Sequence, residues 1–189
     1  MPHSLQTIAA ALALFCLTTG VAACGEEGGD YGGPPPDYKT ALAGAPAPLA
    51  ELHAQANELL PGGVPAFQRR LEALRGHPVV VNKWASWCGP CRQEFPYFQR
   101  LSAKHGKQVA FLGVDSEDSD DQATTFLEQY PVPYPSFKDP DQKIAKEFRA
   151  SLGFPATGYY DRAGKLVATH VGVYRDQAQL AADIRRYAR

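Results

Sequence analysis

The chain has 189 residues, which is enough for one domain with a sizeable hydrophobic core. It carries 19 Lys and Arg residues against 20 Asp and Glu residues, so its formal net charge is −1 at pH 7. The charges are scattered rather than grouped, which argues against nucleic acid or another polyanion as a partner.

An apolar stretch near the N-terminus predicts an export signal. Residues 8–17 are apolar but too few to span a bilayer comfortably, and small residues follow them. Val21-Ala22-Ala23-Cys24 resembles a bacterial lipobox, in which the cysteine receives a diacylglyceryl group. We expect a lipoprotein signal peptide over 1–23 and a lipidated Cys24 that anchors the protein to the membrane outside the cytoplasm. No Lys or Arg precedes the stretch, so a secreted protein, or one anchored by an uncleaved signal, is the alternative.

A segment rich in Gly and Pro follows. It holds six glycines and a run of three prolines but few large apolar residues between positions 24 and 48. Such a composition is typical of a linker rather than of a packed element. We therefore predict a linker over 24–48 and a folded domain over 49–189.

Hydrophobic periodicity predicts alternating helices and strands in that domain. The predicted helices cover 49–60, 67–74, 95–101, 123–130, 144–148 and 180–187. The predicted strands cover 79–84, 109–114, 156–160 and 165–171, and the last two form a hairpin. Helices join the first strands and a turn joins the last, which predicts an α/β fold with a mixed sheet and helices on both faces. The first two helices form an N-terminal extension.

Trp87-Cys88-Gly89-Pro90-Cys91 lies between the first predicted strand and the following helix. The first turn of a helix presents free N–H groups and a partial positive charge, so a thiolate at Cys88 is stabilised and nucleophilic. A structural zinc site needs a second pair of ligands, and no second Cys pair or closely spaced His pair is present. The motif therefore predicts a dithiol/disulfide switch, with no metal and no cofactor besides the disulfide.

The cysteine count agrees with export. Of the four cysteines, Cys16 leaves with the signal peptide and Cys24 is acylated, which leaves only Cys88 and Cys91 as thiols. A single pair outside the cytoplasm favours action on the disulfides of other proteins.

The segment from Val79 to Pro96, together with Gly153-Phe154-Pro155 before the hairpin, resembles the TlpA/ResA-like extracytoplasmic thiol-disulfide oxidoreductases of the thioredoxin superfamily. The resemblance covers residues 64–188 and implies a thioredoxin fold. It also implies that Cys88 attacks the partner's disulfide and that Cys91 resolves the mixed disulfide. Pro155 matches the family's cis-proline, which packs against the cysteine pair. The resemblance further implies supporting roles for Trp87, Gly89, Pro90 and Phe154.

Two polar positions bear on proton transfer. Glu94, three residues after Cys91, matches an acidic residue that this group keeps near its thiols. A carboxylate there raises a thiol pKa when ionised and can relay the proton of the resolving step. The alternative is a solvated helix residue without a role. Asn82 stands where cytoplasmic thioredoxins carry a buried Asp, which leaves Glu94 as the candidate relay.

Lys83 departs from the resemblance, because this position of the core strand is usually apolar in thioredoxins. In one interpretation, its stem passes the core and its ammonium reaches solvent. In the other, the ammonium pairs with Glu94 or Asp115 and tunes Cys88.

The resemblance implies a membrane-tethered reductant of disulfides in exported proteins, with apocytochrome c as the commonest client and a membrane thiol carrier as electron donor. Gly89-Pro90 is the dipeptide of reducing thioredoxins, and a disulfide-introducing oxidase is the first alternative. Copper delivery is another, although copper-chaperone relatives space their cysteines more widely. A peroxidase is disfavoured because Ala85 stands where peroxiredoxins need a Thr.

Overall fold

The computed structural model describes Met1 and residues 33–189. In this part the helices are α1 (Tyr38–Leu42), α2 (Ala47–His53), α3 (Gly63–Ala73), α4 (Gly89–His105), α5 (Asp120–Gln129), α6 (Lys143–Glu147) and α7 (Gln177–Tyr187). The strands are β1 (Leu59–Leu60), β2 (Val79–Trp84), β3 (Ala110–Ser116), β4 (Ser136–Asp139), β5 (Ala156–Tyr160) and β6 (Leu166–Val171). The predicted cleavage region, Cys24 and the first part of the linker lie outside the described residues.

The strands form one sheet in the order β1-β4-β3-β2-β5-β6. The pairs β1–β4, β4–β3 and β3–β2 are parallel, whereas β5 runs antiparallel to β2 and β6 antiparallel to β5. The predicted mixed sheet and terminal hairpin are therefore confirmed. Parallel neighbours bring the carboxyl ends of β2, β3 and β4 to one edge, and the loops that leave this edge meet there.

Strand β2 lies at the centre of the sheet and is buried along its whole length. Its alternation sends Val79 and Val81 to one face, where they join the core with α2, α3 and α6. Val80 and Trp84 point to the other face and join the core with α4, α5 and α7. Burial on both faces explains why β2 reads as an unbroken apolar run at its start.

The predicted linker ends earlier than residue 48. Helix α1 begins at Tyr38, whose hydroxyl donates to the carbonyl of Pro131 at 2.9 Å, and Leu42 is buried. Asp37 caps this helix by accepting from the backbone N–H of Thr40. The predicted linker is therefore wrong for residues 38–48. The few apolar side chains of this Gly/Pro-rich segment pack against residues that are distant in the sequence, and such contacts cannot be read from the composition.

The predicted helix over 49–60 and the predicted strand set also need correction. Helix α2 stops at His53, and Leu59 and Leu60 pair in parallel with Ser136 and Phe137. Strand β4 was not predicted because it has only four residues and follows a stretch in which every second residue from 131 to 135 is proline. So short a strand shows no readable alternation.

Candidate active site

Cys88 and Cys91 lie at the N-terminus of α4 and are joined by a disulfide, with Cα atoms 5.3 Å apart. Cys88 is the N-cap of the helix, and its sulfur accepts from the backbone N–H of Cys91 at 3.1 Å. Gly89 and Pro90 fill the first two helical positions, where the missing N–H of proline costs no helical hydrogen bond. The positive end of a 17-residue helix therefore faces the sulfur of Cys88.

The two cysteines differ in exposure. Cys88 is 3% exposed, whereas Cys91, in the first turn of α4, has no exposed surface and belongs to the core on that side of the sheet. A disulfide that approaches the surface therefore meets the sulfur of Cys88 first.

The loop before β5 packs against the loop that carries the cysteines. The Phe154–Pro155 peptide bond is cis, as the resemblance implies. The Phe154 ring contacts the Trp87 ring edge to face, with centroids 4.9 Å apart, while Trp87 itself remains 53% exposed. Ala156, directly after Pro155, pairs with Lys83 at the end of β2. The sheet register thus holds the cis-proline beside the strand that leads to Cys88.

Glu94 is fully buried on α4, one helical turn after Cys91. Its Oε2 accepts from the backbone N–H of Tyr174 at 3.2 Å, and its Oε1 has no hydrogen-bond partner among the described residues. Burial raises the pKa of Glu94 to about 8, and the Tyr174 N–H offsets only part of that increase. With this pKa the carboxyl is mostly protonated at pH 7, and the interpretation of Glu94 as a solvated residue is wrong because the side chain has no exposed surface.

Asn82 is buried on the opposite side of β2 from Lys83 and pairs in register with Thr157 of β5. The Thr157 hydroxyl has no hydrogen-bond partner among the described residues. The strand thus presents neutral polar groups, rather than a carboxylate, to the α4 side of the sheet.

Lys83 follows neither of its two predicted interpretations. It has no exposed surface, so its ammonium does not reach solvent, and no ion pair joins it to Glu94 or Asp115 in the described part of the chain. Its Nζ instead donates to Gln142 Oε1 at 2.6 Å and to the carbonyls of Ala150 and Gly153 at 2.8 and 3.0 Å. Lys83 cannot pair with Glu94 because the two lie on opposite faces of the sheet. Lys83 points to the face covered by α6, whereas Glu94 lies on α4, which covers the other face.

Sequence reasoning missed several residues that shape the cysteine loop. Asp118 accepts from the backbone N–H and the hydroxyl of Ser86 at 2.5 and 2.8 Å. The carbonyl of Glu117 accepts from Trp87 Nε1 at 3.0 Å. Both follow β3, so they leave the sheet at the same edge as the Cys88 loop. Because β2 and β3 are adjacent parallel strands, the residues that follow β3 are expected to lie beside the Cys88 loop, and this is the signal from which they could have been predicted.

Asp115, at the end of β3, is the second buried carboxyl near this edge. Burial, and next the charge of Asp118, raise the pKa of Asp115 to about 8. Asp115 is therefore neutral at pH 7 and does not serve as a counter-ion for Lys83.

Two further properties concern metal binding and membrane spanning. Residues 33–189 hold no cluster of three or more His, Cys, Asp or Glu side chains that could bind a metal ion. In the same part of the chain, every helix is too short or too polar to cross a bilayer.

Known proteins resemble this chain in sequence. Thiol-disulfide oxidoreductase ResA of Bacillus thuringiensis is 32% identical over 103 residues, which are 54% of this chain and 59% of ResA. The chain therefore spans about three fifths of the ResA relatives that it matches. Thiol:disulfide interchange protein HelX of Rhodobacter capsulatus is 34% identical over 134 residues, which are 70% of each chain.

Solved structures resemble it in fold. The structure of Mycobacterium tuberculosis DsbF in its mixed oxidised and reduced forms matches with a TM-score of 0.56 at 28% identity, and the match covers 61% of this chain and 84% of that one. The fold is the thioredoxin fold, as predicted. A sequence profile of the AhpC/TSA family matches residues 44–169, which include α2, the cysteine pair and the cis-proline. The chain belongs to the AhpC/TSA family.

Proposed function

We propose that this chain is an extracytoplasmic thiol-disulfide oxidoreductase that reduces disulfides in exported proteins. The observation that carries the proposal is the Cys88–Cys91 disulfide at the N-terminus of α4, in which Cys88 keeps a small exposed surface and Cys91 keeps none. The names of the ResA and HelX relatives support the same reaction class.

The reaction is two successive exchanges. The thiolate of reduced Cys88 attacks one sulfur of the client disulfide, the client S–S bond breaks, and the other client sulfur leaves as a thiolate. Cys91 then loses its proton and attacks the Cys88 sulfur, which releases the second client thiolate. The client gains two electrons from the cysteine pair and two protons, one that Cys88 gave to solvent when its thiolate formed and one from Cys91, and the chain ends as the Cys88–Cys91 disulfide. The cysteine pair itself carries the electrons, so we propose no other cofactor.

Glu94 is the proposed proton relay for the second exchange. With a pKa of about 8 it is mostly protonated at pH 7, and it accepts the Cys91 proton in the fraction of molecules in which it is ionised. It lies one turn after Cys91 in the same buried environment, and its Oε1 is unpaired among the described residues. A carboxyl with a pKa of about 8 exchanges protons readily with a thiol near neutral pH.

The finer assignment concerns location and partners. We propose that a lipid on Cys24 tethers the domain to the membrane, that a membrane dithiol carrier re-reduces it, and that apocytochrome c is a client. The lipobox-like sequence before Cys24 supports the tether. Cys24→Ser tests it, since the variant protein should move from the membrane fraction to the soluble fraction.

The reductase activity is tested on the full chain with Cys16→Ser and Cys24→Ser, in which Cys88 and Cys91 are the only thiols. We expect it to reduce insulin with dithiothreitol as electron source. We also expect a reduction potential near thioredoxin's, about −270 mV, in glutathione or dithiothreitol buffers. A potential near about −120 mV would instead assign an oxidase.

A further inference from the structure

The buried ammonium of Lys83 is not used by the exchange chemistry. Beyond its three hydrogen bonds, it lies over the Phe154 ring, with Nζ 3.7 Å from the ring centroid. Two of its acceptors, the carbonyls of Ala150 and Gly153, belong to the loop that ends in Phe154 and the cis-proline. Lys83 is therefore bound to the backbone and to the aromatic side chain of one loop at once.

These contacts close into a ring beside the cysteine loop, which we call the contact ring and define as Lys83, Gln142, Glu117, Trp87 and Phe154. The Gln142 amide accepts from Lys83 and donates to the Glu117 carboxylate. The Glu117 carbonyl accepts from Trp87 Nε1, and the Trp87 ring packs on Phe154. The ring thus joins four loops at the carboxyl edge of the sheet.

The backbone of the contact ring is held in unusual conformations. Gln142 and Glu117 have φ angles of 55° and 57°, in the left-handed region that non-glycine residues seldom occupy. Such conformations persist where the surrounding contacts enforce them. The Lys83–Gln142–Glu117 hydrogen bonds provide that enforcement.

Burial of an ammonium without a paired carboxylate is costly, and it lowers the pKa of Lys83, although the charges of Glu117 and Asp139 oppose this shift. An apolar side chain would fill the same site at less cost in desolvation. Fold stability therefore does not by itself account for a lysine at this position.

We infer that Lys83 is a positioning residue, which fixes Phe154 against Trp87 and so sets how a protein disulfide docks beside Cys88. The inference rests on the proposed function and specifies its client surface. Trp87, which contacts Phe154, is 53% exposed, and Leu152, two residues before Phe154 in the same loop, is 97% exposed. The client segment this surface fits carries an apolar side chain next to its cysteine. A small disulfide, which reaches Cys88 without this surface, should not need Lys83.

The test compares Lys83→Met with the parent, both in the background with Cys88 and Cys91 as the only thiols. Methionine keeps an unbranched apolar stem but loses the ammonium. Lys143→Met, at a 69% exposed lysine of α6, is the matched control. Two reactions of the reduced proteins are measured: the reduction of insulin and the reduction of glutathione disulfide. Acrylamide quenching of Trp87 is a third readout, because Trp84 is fully buried.

We expect Lys83→Met to lower kcat/KM for insulin about tenfold, mainly through KM, because the docking loop is displaced. Its rate with glutathione disulfide should stay within about twofold, and Trp87 should become easier to quench. Gln142→Asn is a second test, because asparagine tolerates the left-handed backbone but is too short to reach Lys83 and Glu117 together. This variant should also lose more activity with insulin than with glutathione disulfide, though by less than Lys83→Met.

Three results would overturn the inference. Equal loss with both disulfides would mean that Lys83 only maintains the fold, and an unchanged insulin rate would mean that it positions nothing. If Lys83→Met does not fold, the test rests on Gln142→Asn. Equal changes in its rates with insulin and with glutathione disulfide would then reject the inference. A parent that does not reduce insulin would contradict the proposed function instead, so the two failures are distinct.

Discussion

At the scale of single residues, Cys88 and Cys91 carry the same functional group in two environments. The helix end lowers the cost of a thiolate at Cys88, and the core encloses Cys91. The sequence predicts both the pair and the order in which the two thiols react, and the slightly greater exposure of Cys88 is consistent with that order.

This order predicts the behaviour of two serine variants. Cys91→Ser should accumulate a mixed disulfide between Cys88 and the client, because no thiol remains to resolve it. Cys88→Ser should form almost none, since the remaining thiol is enclosed. Non-reducing gel electrophoresis after mixing with insulin measures both. Equal trapping by the two variants would contradict the assignment of Cys88 as the attacking residue.

Glu94 predicts a pH dependence of stability. Its pKa is about 8 in the folded protein against an ordinary value of 4.5, so the folded state holds a proton that the unfolded state releases between these values. The stabilising contribution is complete below about pH 4.5 and is lost as the pH rises through about 8. The free energy of unfolding of the oxidised parent should therefore fall over this window by more than about 1 kcal/mol.

Glu94→Gln provides the comparison, because a glutamine does not titrate. Its unfolding free energy, measured by urea denaturation, should change less between pH 5 and pH 8 than that of the parent. Asp115, whose pKa is also raised to about 8, leaves a residual slope in the variant. Identical slopes in parent and variant would show that Glu94 is ionised in the folded protein at neutral pH.

At the scale of elements, predictability follows the length and burial of each segment. Strand β2 is predictable because it begins with a run of three valines, and helix α4 is predictable because a 17-residue helix repeats its apolar positions several times. Strand β4 is not predicted from the sequence. Gln142 lies in the loop that follows β4, so its position at this edge of the sheet is not predicted either. The contact ring therefore could not be predicted, although Lys83 stood out as a charged residue in a core strand.

Helix α2 should contribute to the stability of the domain despite its position next to the predicted linker. Leu49 has no exposed surface and belongs to the core that contains Phe67 and Phe137. Leu49→Ala should lower the free energy of unfolding by about 2–4 kcal/mol, through lost burial and the cavity that remains.

Leu152→Ala is the matched control, because Leu152 is 97% exposed and its loss should change stability by less than about 0.5 kcal/mol. Denaturant unfolding of both variants makes the measurement. Equal stability of Leu49→Ala and the control would mean that the domain folds without α2.

At the scale of the whole molecule, the redox state and the stability of the fold are linked. Oxidation and unfolding form a thermodynamic cycle, so the stability difference between the oxidised and reduced proteins equals the difference in potential between the folded and unfolded cysteine pairs. Each 30 mV corresponds to about 1.4 kcal/mol for this two-electron couple. The two quantities can be measured separately and must agree.

The proposed reductase role fixes the sign of this difference. A reductant has a folded state that favours the disulfide, so the oxidised chain should resist denaturant better than the reduced chain. The strong oxidant DsbA shows the opposite order, because its reduced form is the stabilised one. The buried surroundings of Cys91, beside a neutral Glu94, suit a disulfide because it brings no charge into the core. A reduced chain that proved the more stable would therefore reject the reductase role and favour the oxidase.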